Sequence, residues 1–181
     1  MLKNLVLKTD RLVLKPTLES DLSTLHSIFI NPYVKKYLCD DNIWSLPQVE
    51  EMIVESQKLF EEKKFGIWLI NTKDDQEIIG LVALWYFFDE EQPQLVYALL
   101  PEATKKGYAT EAAAKIVKYS FDELGYKYLI ASCDKPNLES KNVAERIGMR
   151  EVEEKSVDDK PILFFKVDNC TVNARPIILV E

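Results

Sequence analysis

Residues 5–16 alternate in their second half, with Leu12 and Leu14 on one side and Arg11, Val13 and Lys15 on the other. That period predicts a first strand, closed by Pro16. Leu18, Leu22, Leu25 and Phe29 then recur at helical spacing, and Asn31-Pro32 ends the predicted helix. Residues 33–44, rich in aromatics, follow neither period and read either as a loop over the core or as a wall of a substrate pocket. Ser45 and Gln48 have the spacing of a capping box, with Pro47 tolerated in the first turn. Behind them Val49, Met52, Ile53, Leu59 and Phe60 form the apolar stripe of a second helix that ends near Lys64.

Residues 65–71 and the apolar run 78–88 flank a polar turn at 73–76 and predict an antiparallel hairpin. A strand over 95–100 leads into the turn Lys105-Lys106-Gly107 and a helix over 108–124. On that helix Ala109, Ala112, Ala113, Ile116, Val117 and Phe121 face inward, and Gly125 caps it. A strand over 128–133, a turn over 134–137 and a short helix over 139–147 with Gly148 at its C′ position come next. Two final strands, 149–152 and 162–167, are joined by the charged segment 153–160, and the apolar tail 170–181 has no assigned role. Strands and helices alternate in the middle and hairpins stand at both ends, so the expected class is α+β (α/β mixed), with one mixed sheet in a single domain over 1–181.

Composition narrows the chemistry. The 181 residues, 47% hydrophobic, suffice for one full core. No apolar run approaches a membrane span, and the lysine-interrupted N-terminus does not resemble a signal peptide, so a cytoplasmic protein without membrane partners is expected. Cys39, Cys133 and Cys170 lack metal-site spacing and the chain has one histidine, His26, so no metal site is expected. A formal charge of −7 argues against nucleic acid and favours a cationic partner.

The stretch from Val96 to Ala114, a short strand, the turn Lys105-Lys106-Gly107 and an alanine-rich helix, reads as an anion cradle. A helix N-terminus leaves its first amides without partners and carries partial positive charge, two lysines reinforce it, and glycine lets a ligand approach the backbone.

Five pieces in order, Thr9-Asp-Arg-Leu-Val-Leu-Lys-Pro16, Ile79-Gly80, Val96-Tyr97-Ala-Leu, Lys106-Gly-Tyr-Ala-Thr-Glu-Ala112 and Asn137-x-x-Ser140 with Glu145-Arg-Ile-Gly-Met149, resemble the GNAT superfamily of acetyl-CoA-dependent N-acetyltransferases. The likeness spans residues 9–168 and is nearest to the RimJ/RimL-type branch, which includes ribosomal-protein N-terminal acetyltransferases. It implies a mostly antiparallel sheet of about seven strands flanked by about four helices, in which two parallel neighbours splay apart around the pantetheine arm. On this chain the splayed pair would be 95–100 and 128–133, with the backbone of Leu99 and Leu100 pairing with pantetheine. The pyrophosphate would rest on Lys105, Lys106, Gly107, Tyr108, Ala109 and Thr110, and Asn137 and Ser140 would contact the cofactor near its thioester. The implied reaction is acetyl transfer from acetyl-CoA to a primary amine, on a small molecule or a peptide N-terminus, by direct attack, in a monomer or homodimer.

The chain departs from the family pattern at Thr104, where Gln or Arg is common, and at Ala144 and Met149, where many members have a general-acid tyrosine and a phenylalanine. Ser140 is the candidate proton donor to the thiol, with helix N-capping as its other role. Gln94 stands where a glutamate base would be convenient, and Tyr97 is a weaker catalytic candidate. Glu111 suits hydrogen bonding or dipole complementarity in its helix, and a water relay remains available for deprotonation. Tyr37, Trp44 and Trp85 are candidate acceptor-pocket residues. An acetyl-CoA-binding module with weakened catalysis, serving as a sensor or interaction protein, is the alternative, and a Cys–His26 enzyme a more distant one.

Overall fold

A computed structural model describes residues 5–87 and 91–170. It contains strands β1 (Leu7–Lys8), β2 (Leu12–Pro16), β3 (Ile67–Thr72), β4 (Ile78–Trp85), β5 (Gln94–Leu99), β6 (Tyr128–Asp134), β7 (Arg150–Val157) and β8 (Lys160–Asp168). Helices α1 (Leu22–Ile30), α2 (Pro32–Leu38), α3 (Leu46–Lys63), α4 (Tyr108–Asp122) and α5 (Leu138–Arg146) pack around them. The strands form a single sheet in the order β1-β2-β3-β4-β5-β6-β8-β7, antiparallel throughout except for the β5–β6 pair.

Side chains alternate between two buried layers, as the pleat requires. Trp68, Ile70, Val82, Leu84, Leu95, Leu99, Leu129 and Ala131 pack toward α4 and α5, where Ala112, Ala113, Ile116 and Val117 receive them. Ile67, Leu69, Leu81 and Ala83 pack on the other face against Leu25, Ile28, Phe29, Val49 and Ile53 of α1 and α3.

Among the described residues eight strands and five helices agree with the expected sheet of about seven strands and about four helices; two local rules account for the added strand and helix, and a third lengthens the strand after α5. The segment 5–16 is two short strands because the chain turns at Thr9-Asp10-Arg11, so that Leu7 pairs with Leu14. The stretch after Asn31 is a helix rather than a loop. Asn31 Oδ1 accepts the Tyr33 amide at 3.0 Å and Pro32 occupies the first position, where its missing N–H costs nothing. A proline that stops one helix here starts the next. The charged segment 153–160 is mostly strand: Asp158 and Asp159 take positive φ of 49° and 61° and close a two-residue hairpin with Val157 opposite Lys160. The β7 side chains are exposed, so they carry no apolar alternation to be read.

The capping box of α3 forms, with Gln48 Oε1 accepting the Ser45 amide at 2.9 Å. The tail 171–181 lies outside the described residues.

Candidate functional site

β5 and β6 meet at one paired position, Gln94 opposite Ile130, and Ser132 Oγ donates to Gln94 Oε1 at 2.7 Å just beyond it. From there the strands diverge, and a cavity of about 880 Å³ opens between them and under α2, α4 and α5. The β4–β5 register fixes which backbone groups face it. The Leu100 amide donates to Ile79 O at 2.9 Å across the Gly80–Leu99 pair, which makes that pair non-hydrogen-bonded. By the alternation of antiparallel ladders the N–H and C=O groups of Leu95, Tyr97 and Leu99 therefore point away from β4 and toward β6. Leu99 faces the cleft, whereas the Leu100 amide is committed to β4.

At the far end of β5 the cleft meets the N-terminus of α4. Gly107 caps that helix with φ of 79°, a left-handed conformation costly to residues with a Cβ, and a Cβ there would stand 3.3 Å from Arg11 Nη2. Lys105, Gly107, Tyr108, Ala109 and Thr110 line the cavity, and the first-turn amides of α4 have no intrahelical acceptor. An anion with a chain behind it fits this geometry: phosphate oxygens on the helix end and an extended arm along β5. Lys106 is not among the lining residues; its carbonyl accepts from Arg11 Nη1 at 3.0 Å.

The cradle is tied to the opposite edge of the sheet by Glu111. Its Oε1 accepts from Thr9 Oγ1 at 2.6 Å and from the Arg11 amide at 2.9 Å, and its Oε2 accepts from Arg11 Nε at 2.7 Å. Burial pushes this carboxyl up, but the bonds from Thr9 and Arg11 outweigh burial and hold it below the ordinary range. The Arg11 guanidinium also lies 4.7 Å from the Tyr108 ring centre. Glu111 is thus a structural tie rather than a base.

On the α5 side of the cleft, Tyr97 OH donates to the Ser140 carbonyl at 2.8 Å and accepts from Ser140 Oγ at 3.2 Å. The cap of α5 is Asn137, whose Oδ1 accepts the Ser140 amide at 3.1 Å, so N-capping is not the role of Ser140. Burial pushes the Tyr97 phenol upward, and it raises the adjacent Cys133 thiol to about 11, so both stay protonated at neutral pH. Cys39 is likewise pushed up to about 11 by burial, and His26 Nε2 donates to Trp44 O at 3.0 Å. Neither thiol has the thiolate character that a Cys–His26 nucleophile needs.

The α2 side of the cavity is built from Tyr33, Tyr37, Asp40 and the β7–β8 turn. Lys160 Nζ meets Asp40 Oδ1 at 2.6 Å and ties that turn to the end of α2, and Tyr33 donates to Glu139 of α5. Asp134, the last residue of β6, also lines this side. Burial pushes its carboxyl up, and nearby Asp40 adds to the rise. Trp44 and Trp85 are not among the lining residues; Trp44 stacks on Phe29 with ring centres 5.5 Å apart, and Trp85 packs against the cores. Among the described residues no group of His, Cys, Asp or Glu is placed to hold a metal ion.

The Glu111–Arg11–Thr9 tie joins two segments that are each visible as motifs in the sequence, but their contact spans about a hundred positions of chain and no local signal announces it. In the sequence Asp134 carries only a turn signal, and nothing local marks it otherwise.

The sequence profile of the acetyltransferase (GNAT) domain matches residues 11–150 of this chain. YoaA of Bacillus subtilis, an uncharacterised N-acetyltransferase, is 28% identical over 146 residues, covering 80% of this chain and 82% of YoaA. An acetyltransferase from Agrobacterium tumefaciens superposes with a TM-score of 0.78 at 22% identity, over 91% of this chain and 94% of that one. RimL, a ribosomal L7/L12 α-N-protein acetyltransferase solved with coenzyme A, superposes with a TM-score of 0.77 at 13% identity, over 90% of this chain and 97% of its own.

Proposed function

The chain belongs to the acetyltransferase (GNAT) family, and on that premise we propose that it transfers the acetyl group of acetyl-CoA to a primary amine, on a small molecule or a peptide N-terminus as in the RimJ/RimL-type branch. The observation that carries this reading is the parallel pair joined at Gln94–Ile130 alone, opening into a cleft that ends on the Gly107 helix terminus. Such a cleft suits a long ligand with amides in its arm and phosphates at its end.

The bound thioester supplies an activated acyl carbon. The protein's residues hold and orient it. Tyr97 and Leu99 offer backbone donors and acceptors to the arm, and the amides of Tyr108, Ala109 and Thr110 with Lys105 take the pyrophosphate. Ser140 Oγ, hydrogen-bonded to Tyr97 OH, is the proton source on the thiol side and stands in for the tyrosine that Ala144 replaces. Asn137 fixes Ser140 by holding its amide. The acceptor enters from the opposite side, past Tyr33 and Tyr37.

Calorimetry with acetyl-CoA, followed by thiol release in the presence of a panel of amines and N-terminal peptides, tests the proposal. Saturable binding with amine-dependent release is expected. Binding without release across the panel refutes the enzyme and leaves a cofactor-binding module; Gln94, an amide that cannot take a proton, is the residue that favours this outcome. No binding refutes both.

A further inference from the structure

The acceptor nitrogen of an amine arrives protonated near neutral pH, because alkyl ammonium groups titrate near pH 10 and α-amino groups near pH 8. A group on the acceptor side must therefore take a proton. The two faces of the sheet divide the cleft into a thiol side and an acceptor side. Tyr97 and Cys133 pack toward α4 and α5, the layer that holds Ser140, whereas Val96 packs toward α1–α3. Strand alternation then puts Gln94, Ser132 and Asp134 on the Val96 face.

Four carboxylates line the cavity: Asp40, Asp134, Glu139 and Asp158. Glu139 accepts from Tyr33, and Asp40 is ion-paired to Lys160. Asp158 sits on the exposed tip of the β7–β8 turn. Asp134 alone is partly buried, and among the described residues its carboxylate has no hydrogen bond or ion pair. Its backbone is held firmly, with Asp134 paired to Ile162 and the next amide, Lys135 N, donating to Pro161 O at 2.9 Å.

We propose that Asp134 is the general base of the acetyl transfer, taking the proton from the acceptor ammonium on the face of the sheet opposite Ser140. This inference rests on the acetyl-transfer reading above. The ammonium gives one proton to the Asp134 carboxylate, and the freed nitrogen lone pair forms the C–N bond to the thioester carbonyl carbon. The C–S bond breaks, and the second nitrogen proton ends on the thiol sulfur by way of the Ser140 and Tyr97 hydroxyls. Asp134 then returns its proton to water, so the balance is ammonium plus thioester giving amide, thiol and one proton. The charged groups that act on Asp134 are Asp40 from beyond the end of α2 and Lys160 from β8, and Asp158 of the hairpin turn lines the same cavity. Burial and Asp40 push its carboxyl up and Lys160 draws it down, with a net rise that makes it a stronger base than an exposed aspartate.

The test pairs kinetics with a titration that needs no turnover. Asp134→Asn is expected to lower kcat by about 10²–10⁴-fold, the usual range for a general base, with acetyl-CoA affinity unchanged. The loss should be greatest between the Asp134 pKa and the acceptor's own pKa, because below the first the wild-type base is itself protonated and above the second the deprotonated amine no longer needs it. Carboxyl ¹³C NMR of the free protein, with Asp134 assigned by its absence from the variant, should show it titrating above ordinary aspartates, lower in Asp40→Asn and higher in Lys160→Gln. A raised KM with unchanged kcat would make Asp134 a mere anchor for the ammonium and overturn the proposal. So would an unaltered pH profile, or an NMR pKa at or below the ordinary value. Wild-type protein that acetylates no amine overturns the transfer reading itself; an active wild type with an equally active Asp134→Asn variant overturns only the assignment of the base.

Discussion

Removing the Glu111 side chain should destabilise the protein by an amount that its contacts allow to be estimated. In Glu111→Ala the Thr9 hydroxyl and the Arg11 amide both lose their acceptor, at 2.6 and 2.9 Å, beneath a carboxylate that is 4% exposed. Each such bond to a charged acceptor contributes about 1.5 kcal/mol at the low end. The third bond, from Arg11 Nε, adds little, because the Arg11 side chain is 49% exposed and water replaces the partner. The sum is about 3 kcal/mol, or a fall in Tm of about 6–12 °C for a chain of this size. Urea unfolding followed by tryptophan fluorescence measures it. Glu111→Gln, which keeps an acceptor of the same shape, should lose roughly half as much.

The pH dependence has a definite sign. The carboxyl is held below its ordinary range in the folded chain, so its contribution is complete above the unfolded value and is lost as pH falls through the folded one. The stability gap between wild type and Glu111→Ala should be constant near neutrality and narrow below about pH 4. A gap under about 1 kcal/mol at pH 7, or one that does not change on acidification, would refute the reasoning.

Gly107→Glu should abolish acetyl-CoA binding, since it sets a carboxylate in the cradle and forces a Cβ into a left-handed conformation; unchanged affinity by calorimetry would place the pyrophosphate elsewhere. Ser140→Ala should lower turnover more than acetyl-CoA affinity, because Asn137 still caps α5 without the Ser140 hydroxyl, and equal rates in mutant and wild type would remove Ser140 from the thiol side. Asp159→Gly should raise stability by about 0.5–1 kcal/mol, because φ of 61° in the β7–β8 turn strains an aspartate and not a glycine, and urea unfolding with no gain would contradict that account.

The elements that were legible in the sequence are those whose buried face imposes a period. The stripe Ala112, Ala113, Ile116, Val117 and Phe121 gave α4 almost to the residue, and the apolar runs around the 73–76 turn gave the β3–β4 hairpin. The elements that were not legible lack such a face or share a signal between two roles. Pro32 is a stop signal for α1 and an N1 residue of α2, and β7 is exposed along nearly its whole length. At the site, the Lys105-Lys106-Gly107 cradle was readable because a helix terminus is a local object. Glu111 with Arg11, Asp134 with Asp40, and the Tyr97–Ser140 pair were not, because each is a meeting of distant segments. The β5 backbone shows the finest limit: strand bounds indicated that the chain faces a ligand, but only the register decides that Leu99 does so and the Leu100 amide does not.

The divergence of β5 from β6 also bears on how this sheet avoids sticking to others. Open ladders invite pairing with foreign strands, and natural sheets blunt them. Both outer margins here are blunted, since β1 is two residues long and β7 carries Arg150, Glu151, Glu153, Glu154 and Lys155. The ladder groups of Tyr97 and Leu99, beyond the Gln94–Ile130 pair, are instead internal, roofed by α4 and α5 and walled by β6. Walled by β6 and covered by helices, those groups are not presented to a foreign strand as an open sheet edge would be. The fold thus keeps its open backbone groups inside the molecule, in a place where they are no aggregation hazard.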